Sequence, residues 1–82
     1  MKNPRQMPTA AEVEALRDKY PAGTRIRLTR MLDDDPVPEG TCGSVMFVDD
    51  AGNIHMKWDN GRGLALIEGV DWFEIIKEEE QA

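Results

Sequence analysis

Ile54-His55-Met56-Lys57-Trp58-Asp59-Asn60-Gly61-Arg62-Gly63-Leu64-Ala65-Leu66 is the stretch whose reading decides the fold. Ile54, Met56 and Trp58 recur at a period of two with His55 and Lys57 between them, the alternation of a strand with one face buried and one wet. Asp59-Asn60-Gly61 supplies a turn, because Asn and Gly accept positive φ at little cost. Two registers compete. A two-residue Asn60-Gly61 turn sets Asp59 against Arg62 and sends Leu64 and Leu66 to the face of Lys57 and His55. A three-residue loop closed by Gly61 as a left-handed bulge sets Trp58 against Arg62 and Met56 against Leu64, and brings Leu66 to the apolar face beside Ile54. The second is the expected register, since a one-residue slip turns every apolar side chain to water.

Working outward, Asp49-Asp50-Ala51-Gly52-Asn53 is the turn into this hairpin, and Thr41 to Val48 reads as the strand before it. Strict alternation there places Gly43, Val45 and Phe47 on one face and Cys42, Ser44, Met46 and Val48 on the other. Leu32 to Gly40, with Asp33, Asp34 and Asp35 and two prolines, is a loop, since Pro36 and Pro38 favour extended backbone and cannot sit in a central strand. Thr24 to Met31 reads as the first strand, Ile26 and Leu28 inward, Arg25, Arg27 and Thr29 outward. Ahead of it, Thr9 with Glu12 three positions on is a capping-box pattern, opening a helix to about Lys19 whose Val13, Leu16 and Tyr20 share one face. Pro21 stops it. Downstream, Glu68 to Phe73 suits one 3₁₀ turn and Glu74 to Lys77 a last strand. Short strands joined by glycine-rich turns at intervals of about ten residues indicate a mainly β protein, a small antiparallel barrel of four to five strands with one N-terminal helix. The expected organisation is a flexible arm over 1–8, one domain over 9–77 and a charged tail over 78–82.

An 82-residue chain is one domain with one modest core, burying roughly two-thirds of its unfolded surface. Sixteen acidic against ten basic residues leave a formal charge of −6, which opposes non-specific nucleic-acid binding, where cations meeting phosphates supply the affinity. The single cysteine, Cys42, excludes an internal disulfide, and there is no apolar run of signal-peptide or membrane-span length. A soluble, cytoplasmic protein is expected.

Tyr20-Pro21-Ala22-Gly23-Thr24-Arg25-Ile26, the acidic proline loop, Gly40-Thr41-Cys42-Gly43-Ser44-Val45, Val48-Asp49-Asp50-Ala51-Gly52, Trp58-Asp59-Asn60-Gly61, Leu64 to Ile67 and Gly69-Val70-Asp71, in that order, resemble the family catalogued as domain of unknown function 4314. The resemblance covers roughly residues 11 to 76. It implies a small SH3-like β-barrel from bacteria, often from phage or integrated mobile elements, and it implies no reaction. Trp72 departs from it, standing where the family more often has a polar residue.

No catalytic or metal-binding constellation emerges. Cys42 and His55 are the sole residues of their types, short of the four Cys or His ligands of a structural zinc site, and a nucleophilic pair would need them to meet across adjacent strands. Asp33, Asp34 and Asp35 run consecutively rather than at the alternate positions of a calcium loop, so a solvated loop with an Asx-turn is expected. No enzyme activity and no cofactor are therefore expected. The favoured reading is a protein-binding accessory module whose contact surface joins Trp72 to Pro36, Val37, Pro38, Asp34 and Asp35. An acidic inhibitor or nucleic-acid mimic aimed at a host nucleic-acid enzyme or defence system is the alternative, requiring carboxylates grouped on one face with few paired to arginine. Direct nucleic-acid binding comes third and requires Arg25, Arg27, Lys57 and Arg62 to form one continuous patch. The identity of the protein partner and the oligomeric state are open.

Overall fold

A computed structural model describes residues 7–76, so most of the expected arm, the expected strand's last residue Lys77 and the tail lie outside the described residues. One helix, α1 (Ala10–Lys19), precedes four strands, β1 (Arg25–Arg30), β2 (Cys42–Val48), β3 (Ile54–Trp58) and β4 (Trp72–Ile75). The strands form an antiparallel sheet in the order β3-β2-β1-β4. No helix among these residues is long and apolar enough to cross a membrane.

The hairpin register follows from the turn chemistry. Gly61 adopts φ +88°, its N–H donates to Trp58 O at 2.9 Å, and Trp58 N–H donates to Arg62 O at 3.1 Å. Ile54 and Leu66 then exchange both backbone bonds at 2.9 Å, the pairing expected of the three-residue loop. Between those two fixed points the return segment is not a regular strand. What holds it is the Trp58 indole N–H, which donates to Leu64 O at 2.8 Å.

Trp58 is 1% exposed and lies against Gly43: a Cβ built there would fall 2.8 Å from Trp58 Cε3 and 2.9 Å from Lys57 O. Around this contact pack Ile26, Leu28, Val45, Val48, Ile54, Met56 and Leu66, with Tyr20, Met31 and Val37 at the margins. α1 closes one side. Its capping box is complete, with Glu12 N–H on Thr9 Oγ1 at 3.1 Å and Thr9 N–H on Glu12 Oε1 at 2.8 Å. Arg17 fastens the helix to the β2–β3 turn through Val48 O at 3.1 Å and Asp50 at 2.9 Å, while Leu16 and half-buried Pro8 lie over Gly52.

Three expectations are corrected. Phe47 faces outward, 51% exposed, and Val48 inward. The register of β2 against β3 shifts between Val45 and Phe47, so Met46 is the extra residue of a bulge and alternation restarts one place later. This lets Val48 meet Ile54, and it sets Phe47 opposite His55, on which it stacks at 4.4 Å with 9° between the planes. Val37 is a core residue, 2% exposed: the extended backbone imposed by the flanking prolines turns it inward and leaves Pro36 and Pro38 outside. Finally, the last strand begins at Trp72 rather than Glu74, because Trp72 and Phe73 pair with Arg30 and Leu28 around an irregularity at Thr29. The segment before it is a turn closed on Ile67 O by the N–H groups of Val70 at 3.1 Å and Asp71 at 2.9 Å.

Trp58→Ala should cost about 3–5 kcal/mol in urea unfolding, the range for emptying a large aromatic site. Gly43→Ala, which forces a methyl into the same contact, should cost about 1–3 kcal/mol.

Candidate functional site

The turn after Leu66 is organised by a buried carboxylate. Asp71 is 6% exposed; its Oδ2 accepts the Ile67 N–H at 2.9 Å and its Oδ1 accepts the Leu32 N–H at 2.8 Å, 39 residues away. One side chain thus ties the start of β4 to the chain just leaving β1. No buried side-chain nitrogen or oxygen among the described residues is left without a partner.

This tie presents Trp72 as the first residue of β4. Trp72 is 58% exposed, with the Arg30 guanidinium 5.6 Å from its ring centroid. Beside it an open cleft of about 480 Å³ runs between the end of α1 and β4, with Lys19, Tyr20 and Glu68 from one side and Trp72, Phe73 and Glu74 from the other. Tyr20 stands in it tilted against Phe73, ring centroids 5.7 Å apart. The Glu68 Oε2 accepts from the Tyr20 hydroxyl at 2.7 Å and the Lys19 ammonium at 3.0 Å. Burial pushes the Glu68 carboxyl up, but these two donors outweigh it and hold the group below its ordinary value. Burial and the Glu68 charge push the Tyr20 hydroxyl up in turn. The cleft therefore carries a carboxylate, a phenol and an ammonium in one bonded set, with an exposed indole at its rim.

The structure groups Trp72 with this cleft, whose lining holds none of Asp34, Asp35, Pro36, Val37 and Pro38. Asp35 is engaged elsewhere: its carbonyl accepts from Arg62 Nη2 at 2.6 Å, and its N–H donates to Asp33 Oδ1 at 2.9 Å, the expected Asx-turn. Asp34, Pro36 and Pro38 are exposed, while Val37, being in the core, contributes no surface.

The arginine strand is largely neutralised within the molecule. Arg25 meets Asp59 through two bonds, 2.9 and 2.6 Å, and also reaches Ser44 at 3.1 Å. Arg27 meets Glu74 at 2.8 Å, and Arg62 is spent on Asp35. Of the four residues of the expected patch, Lys57 alone is exposed, the three arginines being half-buried. The same pairing works against mimicry, because Glu14, Asp35, Asp49, Asp50, Asp59, Glu68 and Glu74 each lie within ion-pair distance of a basic side chain.

Cys42 and His55 do not meet. Cys42 sits at the start of β2, its Sγ 3.9 Å from Gly40 O, whereas His55 lies opposite Phe47 at the far end. His55 Nε2 is 2.8 Å from Asp49 Oδ2, and Asp49 also accepts from Ala51 N at 3.0 Å, Asn53 N at 2.9 Å and Asn53 Nδ2 at 3.1 Å. Burial opposes ionisation of Asp49, but the bonds from His55 and Asn53 prevail and bring its carboxyl down to about 2. Among the described residues no three His, Cys, Asp or Glu side chains gather to hold a metal ion.

Sequence reasoning missed Asp71, Glu68, Arg30 and Tyr20 as the surroundings of Trp72. Asp71 carried a usable signal, an acidic residue directly after Gly69-Val70 and before an aromatic pair, where a turn needs an acceptor for its N–H groups.

Two outcomes are expected. Asp71→Ala leaves two backbone N–H groups without their acceptor and should cost about 2–4 kcal/mol in urea unfolding. Because the Asp49 carboxyl is lowered on folding, its contribution is fully present above pH 4, the range of a free aspartate, and is lost as pH falls toward 2. Asp59 and Glu68 are lowered too and act in the same sense. Asp49→Asn should flatten the melting temperature against pH in that window.

No curated protein and no solved structure matches this chain. A family model does, over residues 9–76, which run from the helix cap to the end of the described sheet. The chain belongs to the family described as Domain of unknown function (DUF4314).

Proposed function

We propose that this chain is a non-enzymatic protein-binding accessory module that docks through Trp72 and the cleft beside it. The observation that carries the reading is the exposure of Trp72, 58%, on a strand held in place by the buried Asp71. An indole left in water on a rigid element costs solubility and adds little to the core, and tryptophan is enriched among the residues that dominate binding energy at interfaces. Phe73 already supplies the apolar side chain that packs inward from β4, so the fold does not need Trp72.

The four antiparallel strands, the return of the 62–66 segment onto β3 at Ile54 and the family resemblance support reading the domain as a small SH3-like barrel. The family resemblance supports a setting in bacteria, on phage or mobile elements. Nucleic acid is the weaker partner, because Arg25, Arg27 and Arg62 already hold carboxylates.

The test is affinity capture from host lysate with tagged wild type and Trp72→Ala, with and without nuclease. The expected result is a protein that survives nuclease and is lost with Trp72→Ala, while the variant's unfolding free energy changes by less than about 1 kcal/mol. Partners that vanish with nuclease, or that both proteins capture equally, overturn the reading.

A further inference from the structure

We propose that Asn60-Gly61 is a site of covalent self-modification, in which the Gly61 nitrogen closes onto the Asn60 carboxamide, and that the native turn holds this reaction in check. The reaction needs no partner but water. The Gly61 nitrogen gives its proton to a solvent base and attacks Asn60 Cγ; the bond from Cγ to Nδ2 breaks, and Nδ2 leaves as ammonia after taking up a proton from solvent. The product is a five-membered imide. Water then cuts one of the two carbonyl bonds to the imide nitrogen, with no oxidation or reduction at either step. Cutting at Cγ leaves an aspartate at position 60, and cutting at the backbone carbonyl leaves an isoaspartate, whose main chain runs through Cβ and Cγ. This chemistry is one reason asparagine counts as a thermolabile residue.

Sequence and structure single out one of the three asparagines. Asn3 precedes Pro4, whose nitrogen carries no proton to lose. Asn53 precedes β-branched Ile54, which is 0% exposed and donates its N–H to Leu66 O at 2.9 Å, while Asp49 Oδ2 accepts from Asn53 Nδ2 at 3.1 Å. Asn60 is exposed and precedes a glycine, and a Cβ built at Gly61 would meet nothing within 4 Å, so the ring has room to form. Two bonds oppose closure. The Gly61 N–H, whose proton must be lost, is donated to Trp58 O at 2.9 Å, and the Arg62 N–H on Asn60 Oδ1 at 3.0 Å pins the carboxamide in the turn. The accepting residue is itself fixed, since Trp58 is 1% exposed and the next N–H, of Asp59, donates to Cys42 O at 2.9 Å. The reaction therefore waits on local opening of the turn. Its outcome reaches the core. In the isoaspartate an extra main-chain atom falls between Trp58 and Arg62, inside the loop whose length sets Ile54 opposite Leu66. The aspartate keeps that length and retains an oxygen for the Arg62 N–H.

The experiment is incubation of the full chain at about pH 8 and 37 °C, once folded and once unfolded in guanidinium chloride, followed by peptide mapping that separates aspartate from isoaspartate. Conversion of amide to acid is expected at Asn60 in both samples, with none comparable at Asn53. The folded rate is expected to be at least about tenfold lower, the worth of two such hydrogen bonds. Asn60→Asp supplies the aspartate product directly: it is expected to melt with the wild type, whereas the isolated isoaspartate form melts lower. Failure of Asn60 to convert in guanidinium chloride, or conversion of Asn53 as fast as Asn60 in the folded chain, overturns the site. Equal folded and unfolded rates overturn the restraint by the turn, and an isoaspartate form that melts with the wild type overturns the link to hairpin register. None of these readouts involves Trp72, so they stand or fall apart from the capture experiment.

Discussion

The contact between the Trp58 ring and the bare backbone of Gly43 is the constraint on which the rest of the molecule depends. β2 and β3 approach closely enough there that no side chain fits at position 43. With the ring laid flat, its indole N–H reaches past β3 to Leu64 O and anchors the return segment, whose Leu66 completes the core. Sheet, hairpin and core thus share one residue. In so small a domain little redundancy exists to replace it, which is why its loss weighs so heavily against a total stability on the order of 5–15 kcal/mol.

Much of this was legible in the chain because local chemistry and global packing agree. The Thr9–Glu12 capping box, the Gly61 bulge and the period-two run Ile54, Met56, Trp58 each have one low-energy solution, and the fold adopts it. The burial of Trp58 followed from the same alternation, whereas no alternation spoke for Trp72, which reads as part of a turn. Where two solutions are close in energy, the sequence was silent. Val45-Met46-Phe47-Val48 is apolar throughout, so no periodicity can place a bulge in it; the choice is made by Ile54 and His55 across the strand pair. Val37 looked like loop surface until the extended path set by its prolines turned it inward. The cleft was hidden for another reason: Lys19, Tyr20, Glu68 and Trp72 are scattered along the chain and meet only through the fold.

The electrostatics also separate composition from surface. A formal charge of −6 suggests an acidic coat, yet the outer face of the sheet is a lattice of opposite pairs, Arg25 with Asp59 and Arg27 with Glu74. Such exposed pairs contribute little to stability individually. Their larger effect is to leave less uncompensated charge on the sheet face than the composition suggests.

β4 meets β1 across a long stretch of chain: Ile75 lies opposite Ile26, 49 positions earlier, and Trp72 opposite Arg30, 42 positions earlier. Pairings of such separation carry a loop-closure cost that the β2–β3 hairpin does not, which slows their formation relative to local ones. Asp71, whose Oδ1 takes the Leu32 N–H 39 positions earlier, joins the same two distant stretches of chain, so the turn and the strand pairing share a single loop-closure cost.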